Sequence, residues 1–137
     1  MSRENVEIVR KLIEANRSDD LESRIEPMLA LWDPSCEYTS VTAAVEPHTY
    51  HGHDGLRRYL GDQAERWAKW RSEVEDVFEV GPDTVVATFR FSAVGKDSGA
   101  PIEARLAVVF VLSDGKLVRG RTYPSREEAL QAVGLSE

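Results

Sequence analysis

The sequence predicts an α+β domain in which a strongly curved antiparallel sheet wraps around N-terminal helices and leaves a conical pocket between them. Three observations carry this. Apolar residues recur at helical spacing through the first half of the chain. From about residue 70 the pattern switches to period two in four successive runs. Those runs are punctuated by "GPD", "KDSGA" and "SDG", the turn chemistry of consecutive hairpins. Helices placed before a meander segregate onto one face of the sheet, and a curved sheet closed against them makes a cone with a mouth.

Val6, Val9, Leu12 and Ile13 set a first helix over residues 3–16, with Ser2 as its N-cap. "RSDD" breaks the pattern. Leu21, Ile25, Met28, Leu29 and Trp32 mark a second helical stretch, in which Pro27 imposes a kink or two short pieces. "DP" at 33–34 ends it, since a residue before proline avoids the helical region. "CEYTSV" (36–41) alternates as a short strand, and a loop holding all three histidines follows. His53 or Asp54 caps a third helix, and Gly52 permits the unusual backbone angle of the turn before it. The inner face of that helix reads Leu56, Tyr59, Leu60, Gln63 and Trp67. "RSEVEDVFEV", "TVVATFRFSAV", "PIEARLAVVFVL" and "KLVRGRTY" are the four long strands. Ser125-x-x-Glu128 is a capping box that opens a short closing helix.

Composition narrows the function classes. The 137 residues suit one domain spanning 1–137, able to bury roughly 65–70% of the unfolded surface. Apolar residues make up 42% and charged residues 30%, a globular mixture. A net charge of −7 opposes nucleic-acid binding, which needs a basic face, and opposes adhesion to anionic membranes. The longest apolar run, "LAVVFVL", is far short of the ~20 residues of a spanning helix. The start, "MSRENVEIVRK", lacks the apolar core of a secretory signal. One cysteine, Cys36, fits a reducing cytoplasm and reads as a small buried hydrophobe, since its acidic neighbours disfavour a thiolate. A cytoplasmic location is therefore expected.

His48, His51 and His53 raise the question of a metal. Spacings of three and two in a loop with Pro47 and Gly52 provide no H-x-x-E or H-E-x-x-H pattern, so no metal and no cofactor is expected. His51 and His53 face solvent or cap neighbours. Glu46 and His48 fall at the rim of the cone, where a histidine beside a carboxylate can act as general base. They are the candidate catalytic pair, for proton abstraction or water activation, against the plainer reading that both are exposed rim residues.

Three landmarks carry a resemblance: the helix pair ending in "LALWDP", the segment "YHGHDGLRRYL", and the ending "SDGKLVRGRTYPSREEALQAVGL". With these the chain resembles the SnoaL-like proteins of the nuclear transport factor 2-like superfamily, which includes ketosteroid isomerases, polyketide cyclases and limonene epoxide hydrolases. The resemblance covers nearly the whole chain and implies a cystatin-like α+β roll. It leaves the reaction open, because the superfamily holds enzymes, ligand binders and assembly modules. Ketosteroid isomerases use a base on the first strand, and a tyrosine plus a protonated acid as oxyanion donors. The resemblance sets Ser40, Leu12 and Val108 or Val109 at those positions, so the trio is missing.

The same resemblance turns Tyr38 and Ser40 inward, and period-two alternation puts Val85, Ala87, Phe89, Phe91 and Ala93 on the pocket face. Tyr38, Ser40, Tyr59, Gln63, Trp67, Phe89 and Phe91 are the candidate ligand-binding residues, suited to a flat or cyclic apolar ligand held by one or two hydrogen bonds. Plain core filling is the rival reading. Arg90, Glu103 and Arg105 fall on the opposite face unless a bulge reverses it. Three functions stay open: a cofactor-free isomerase, cyclase, lyase or hydrolase on an apolar cyclic metabolite; a non-catalytic ligand-binding protein; or a protein-interaction module. A homodimer through the sheet is expected from the apolar stripe Ala107, Val109 and Val111 on its outer face. No nucleic-acid or membrane partner is expected.

Overall fold

The computed structural model describes residues 2–15, 21–40 and 48–134. Helix α1 (Ser2–Ala15) and helix α2 (Leu21–Leu31) lead into strand β1 (Trp32–Ser40) and the short strand β2 (His48–His51). Helix α3 (Gly52–Arg66) precedes the long strands β3 (Trp67–Gly81), β4 (Thr84–Gly95), β5 (Pro101–Ser113) and β6 (Lys116–Tyr123), and helix α4 (Arg126–Ala132) closes the chain. The six strands form one curved sheet in the order β2-β1-β6-β5-β4-β3. All neighbours are antiparallel except β1 and β6, which run parallel.

Burial follows the amphipathic patterns. Val9, Leu12 and Ile13 of α1, Met28 and Leu29 of α2, and Leu56 and Leu60 of α3 pack on Val85, Ala87, Val108, Phe110 and Leu117 of the concave sheet face. Burying such side chains contributes about 1.5–3 kcal/mol each. Asn5 ties α1 to the β3–β4 turn, its Nδ2 donating to the Pro82 carbonyl at 3.0 Å.

Several boundaries differ from the sequence reading. α2 runs through Pro27 as one element. β1 begins at Trp32, and its pairing with β6 slips between Trp32 and Glu37. Residues 48–51 are an edge strand rather than loop, with Tyr50 opposite Tyr38 and Thr49 opposite Thr39; the two threonine hydroxyls lie 2.9 Å apart. His51 is the N-cap of α3 and makes no side-chain cap bond, so neither His53 nor Asp54 caps the helix. Gly52 has φ +68°, the left-handed turn expected there, and a Cβ would sit 3.0 Å from the Pro34 carbonyl. α3 ends at Arg66, and Trp67 is already extended (φ −116°, ψ 135°) as the first residue of β3.

The outer apolar stripe has a cover within the chain. Ser125 caps α4, accepting from the Glu128 N–H at 3.1 Å, and Ala129 packs on Val86, Ala107 and Val109. Ala107 and Val109 are thereby covered from within the chain, whereas Val111, half-buried, lies outside that cluster. Among the described residues, no helix is long and apolar enough to cross a membrane.

Candidate functional site

Between the helices and the concave face lies a cavity of about 120 Å³. Its apolar walls come from Leu12, Met28 and Leu60 on the helix side and from Phe89, Phe91 and Phe110 on the sheet side. Trp32 and Trp70 complete the aromatic lining. Leu12 and Val108, which the sequence resemblance sets at the tyrosine and acid positions of the isomerases, both line it with side chains that offer no polar atom.

The polar wall is built by β1 and α3. Tyr38 faces inward from β1 and meets Tyr59, half-buried at the middle of α3, at a ring-centroid distance of 4.9 Å and an interplanar angle of 76°. Their hydroxyls are hydrogen-bonded. Burial pushes both phenols up, Tyr38 well above the ordinary tyrosine value. The shared bond holds the proton on Tyr38 and relieves Tyr59, which the positive charges of Arg24 and Arg66 also favour as the more acidic partner. Tyr38 is thus the donor and Tyr59 the acceptor. Gln63, one helical turn on, donates from Nε2 to the Tyr59 hydroxyl at 3.4 Å. Behind Tyr59 stands Tyr50, 5.4 Å away ring to ring, with its hydroxyl donating to Asp62 Oδ2 at 2.7 Å. Burial, then the Asp62 bond and charge, push Tyr50 up to about 12.

Of the expected ligand-binding residues, Tyr38, Tyr59, Gln63, Phe89 and Phe91 line the cavity together. Two do not. Ser40 is buried one pleat farther along β1, opposite His48. Trp67 is buried beyond Phe91, their centroids 5.9 Å apart, in a separate cluster with Ala93. It sits on β3 rather than the inner face of α3, and its Nε1 is buried without a hydrogen-bond partner among the described residues.

The histidines scatter. His48 is exposed on the edge strand, its ring 4.6 Å from Tyr50, and it does not line the cavity. Glu46 lies outside the described residues. His51 pairs with Glu37 at 3.4 Å on the outer side, and His53 Nε2 lies 2.8 Å from the Trp32 carbonyl oxygen, holding α3 to β1. Arg90, Glu103 and Arg105 share the outer face, with Arg90 opposite Arg105 in register and Arg105 Nε 3.5 Å from Glu75. None of the three lines the cavity. No carboxylate or histidine lines the cavity among the described residues.

The sequence reading passed over Arg24. It projects from α2 into the cavity wall at 6% exposure, with its guanidinium 4.8 Å from the Trp70 ring centroid. The signal was present: Arg24, Met28 and Leu31 follow i, i+4, i+7, so a charged residue occupies the apolar stripe of an amphipathic helix.

A SnoaL-like domain model matches residues 9–120. The chain belongs to the SnoaL-like family. Solved structures share its fold across nearly the whole length. A nuclear transport factor 2-like protein of unknown function from Burkholderia pseudomallei K96243 is 19% identical with a TM-score of 0.77, covering 96% of this chain and 97% of that one. A putative SnoaL-like polyketide cyclase from Jannaschia sp. CCS1 is 17% identical with a TM-score of 0.76, covering 99% and 95%. A phenazine biosynthesis-related protein from Pseudomonas aeruginosa is 20% identical with a TM-score of 0.72, covering 98% and 88%. At these identities the likeness is one of fold. No curated protein matches the chain.

Proposed function

We propose that this SnoaL-like protein binds a one-ring organic ligand in the cavity and presents hydrogen-bond donors to an oxygen on that ligand. The observation that carries the reading is the Tyr38–Tyr59–Gln63 wall inside a chamber otherwise lined mainly by apolar and aromatic side chains. Tyr59 accepts from both Tyr38 and Gln63, so its own proton is the one directed to a ligand oxygen. A cavity of about 120 Å³ compares with the ~150 Å³ apolar cavity that holds benzene. A polycyclic metabolite exceeds it.

The wall donates and has no base at neutral pH: Tyr38 and Tyr59 are held protonated by burial. Any chemistry is then electrophilic. The hydroxyls polarise a carbonyl or hold a developing enolate oxygen, as in an isomerisation or ring closure whose substrate is already acidic. His48, with Glu46 beside it in sequence, remains the candidate base for chemistry at the rim, and its exposed place beside Tyr50 supports no role deeper in. Simple binding without turnover is the second reading, favoured by the absence of a carboxylate or histidine on the described lining. A homodimer through the sheet belongs to the outer face beyond α4, where Arg90, Glu103 and Arg105 are exposed. Residence in the cytoplasm accords with the free, buried Cys36.

The test is tryptophan fluorescence, since Trp32 and Trp70 line the cavity. Benzamide should quench and saturate, and naphthalene-2-carboxamide should bind at least about tenfold more weakly. Equal binding of the two contradicts the one-ring limit, and no binding of either contradicts the ligand site.

A further inference from the structure

Arg24 adds a feature that hydrogen-bond donors alone do not. It is a fixed cation, nine-tenths buried, on the wall of a chamber whose other walls are mostly hydrocarbon. A charge in such a setting is costly unless an acceptor answers it. Arg24 has a further partner within the chain, yet a guanidinium carries five N–H donors in a planar fork, enough to keep that partner and still hold a carboxylate. Stacking on Trp70 at 4.8 Å fixes the plane of the fork.

Its position matters as much as its charge. Arg24 and Trp70 border both the inner cavity and an outer recess at the open end of the sheet. That recess carries Lys69 and Arg71 against the single acid Glu103. Three cations to one acid is a local excess of positive charge on a chain whose net charge is −7. Such an arrangement draws in anions that the rest of the surface repels.

We infer that the ligand is an anion, a one-ring carboxylate of the benzoate class, which passes the Lys69–Arg71 recess and pairs with Arg24 while its ring fills the chamber between Phe89 and Phe91 on the sheet side and the helices. This rests on the cavity being a ligand site, as proposed above. The carboxylate meets the guanidinium edge, and the ring replaces water against aromatic walls.

The experiment compares benzoate with its neutral isostere benzamide on the full chain, by calorimetric titration at neutral pH. The wild type should bind benzoate about tenfold or more tightly than benzamide, the scale of one charge-assisted bond. R24Q should lose that preference, weakening benzoate about tenfold more than it weakens benzamide. R24K, checked by circular dichroism for an intact fold, should keep part of the preference because it keeps the charge. K69Q with R71Q should slow benzoate association at low salt with little change in its dissociation rate. If benzamide binds as tightly as benzoate, or if R24Q weakens both alike, the anion assignment falls while the ligand site stands. If neither binds, both fall.

Discussion

Tyr38 and Tyr59 meet edge to face across β1 and α3, their centroids 4.9 Å apart and their hydroxyls hydrogen-bonded. The contact joins the first strand of the sheet to the helix that covers it, so one pair of phenols both fastens the cone and forms its polar wall. Edge-to-face aromatic pairs contribute about 0.5–1.5 kcal/mol beyond the area they bury. The same groups that hold the chamber open also define what it can bind.

Replacing Tyr59 by phenylalanine keeps the ring contacts and removes the hydroxyl that Tyr38 and Gln63 address. The expected cost is about 1 kcal/mol in stability, read from the midpoint of urea unfolding, and about tenfold in benzamide affinity. A variant that binds as the wild type does would show that the wall is structural only.

Gly120 on β6 lies beneath that wall. A Cβ there would fall 2.9 Å from Trp32 Cη2 and 2.9 Å from Tyr38 Cδ1. G120A therefore pushes both rings into the chamber, and overpacking of this kind costs about 1–3 kcal/mol. Ligand affinity should fall together with stability, and restoring the small residue should restore both.

The alkaline limb of stability should follow the buried phenols. Burial raises Tyr38, Tyr59 and Tyr50 above the ordinary value of 10.0, Tyr50 to about 12. The native state then holds protons that the unfolded chain releases, so stability present below pH 10 is lost as pH rises from 10 through about 12. Phenolate absorbance should show Tyr50 titrating late. D62N should move it down by the part due to the Asp62 bond and charge, leaving the part due to burial.

His48 is exposed and lies off the cavity lining, so H48A should leave benzamide affinity within about twofold, as surface substitutions do. A tenfold loss would carry the rim histidine into the binding site.

S125A removes the cap of α4 and should cost about 1 kcal/mol. Because α4 covers Val86, Ala107 and Val109, amide exchange along α4 should quicken, and sedimentation should report any association through the freed stripe.

Much of the fold was legible because its long elements advertise their period. The alternation in β4 and β5 put Phe89 and Phe91 on the cavity side and Arg90 on the other, and the register bears that out. Local pattern failed where tertiary pairing decides. His48–His51 has one apolar residue and a neighbouring proline, so nothing local marks a strand; pairing with β1 makes it one. Trp67 continues the i, i+3, i+7 pattern begun by Leu60 and Gln63, so periodicity extends α3 one residue too far, whereas pairing of Trp67 with Gly95 pulls it into β3. Arg24 was readable as a charge in an apolar stripe, but only the fold shows that it opens on a chamber.

The most direct test of the central claim is a crystal structure of the protein saturated with benzamide. The ring should lie between Phe89 and the face of α2 and α3, with its carbonyl oxygen within hydrogen-bond reach of the Tyr59 hydroxyl. A chamber closed by its own side chains, with benzamide absent or bound only at the surface, would contradict it.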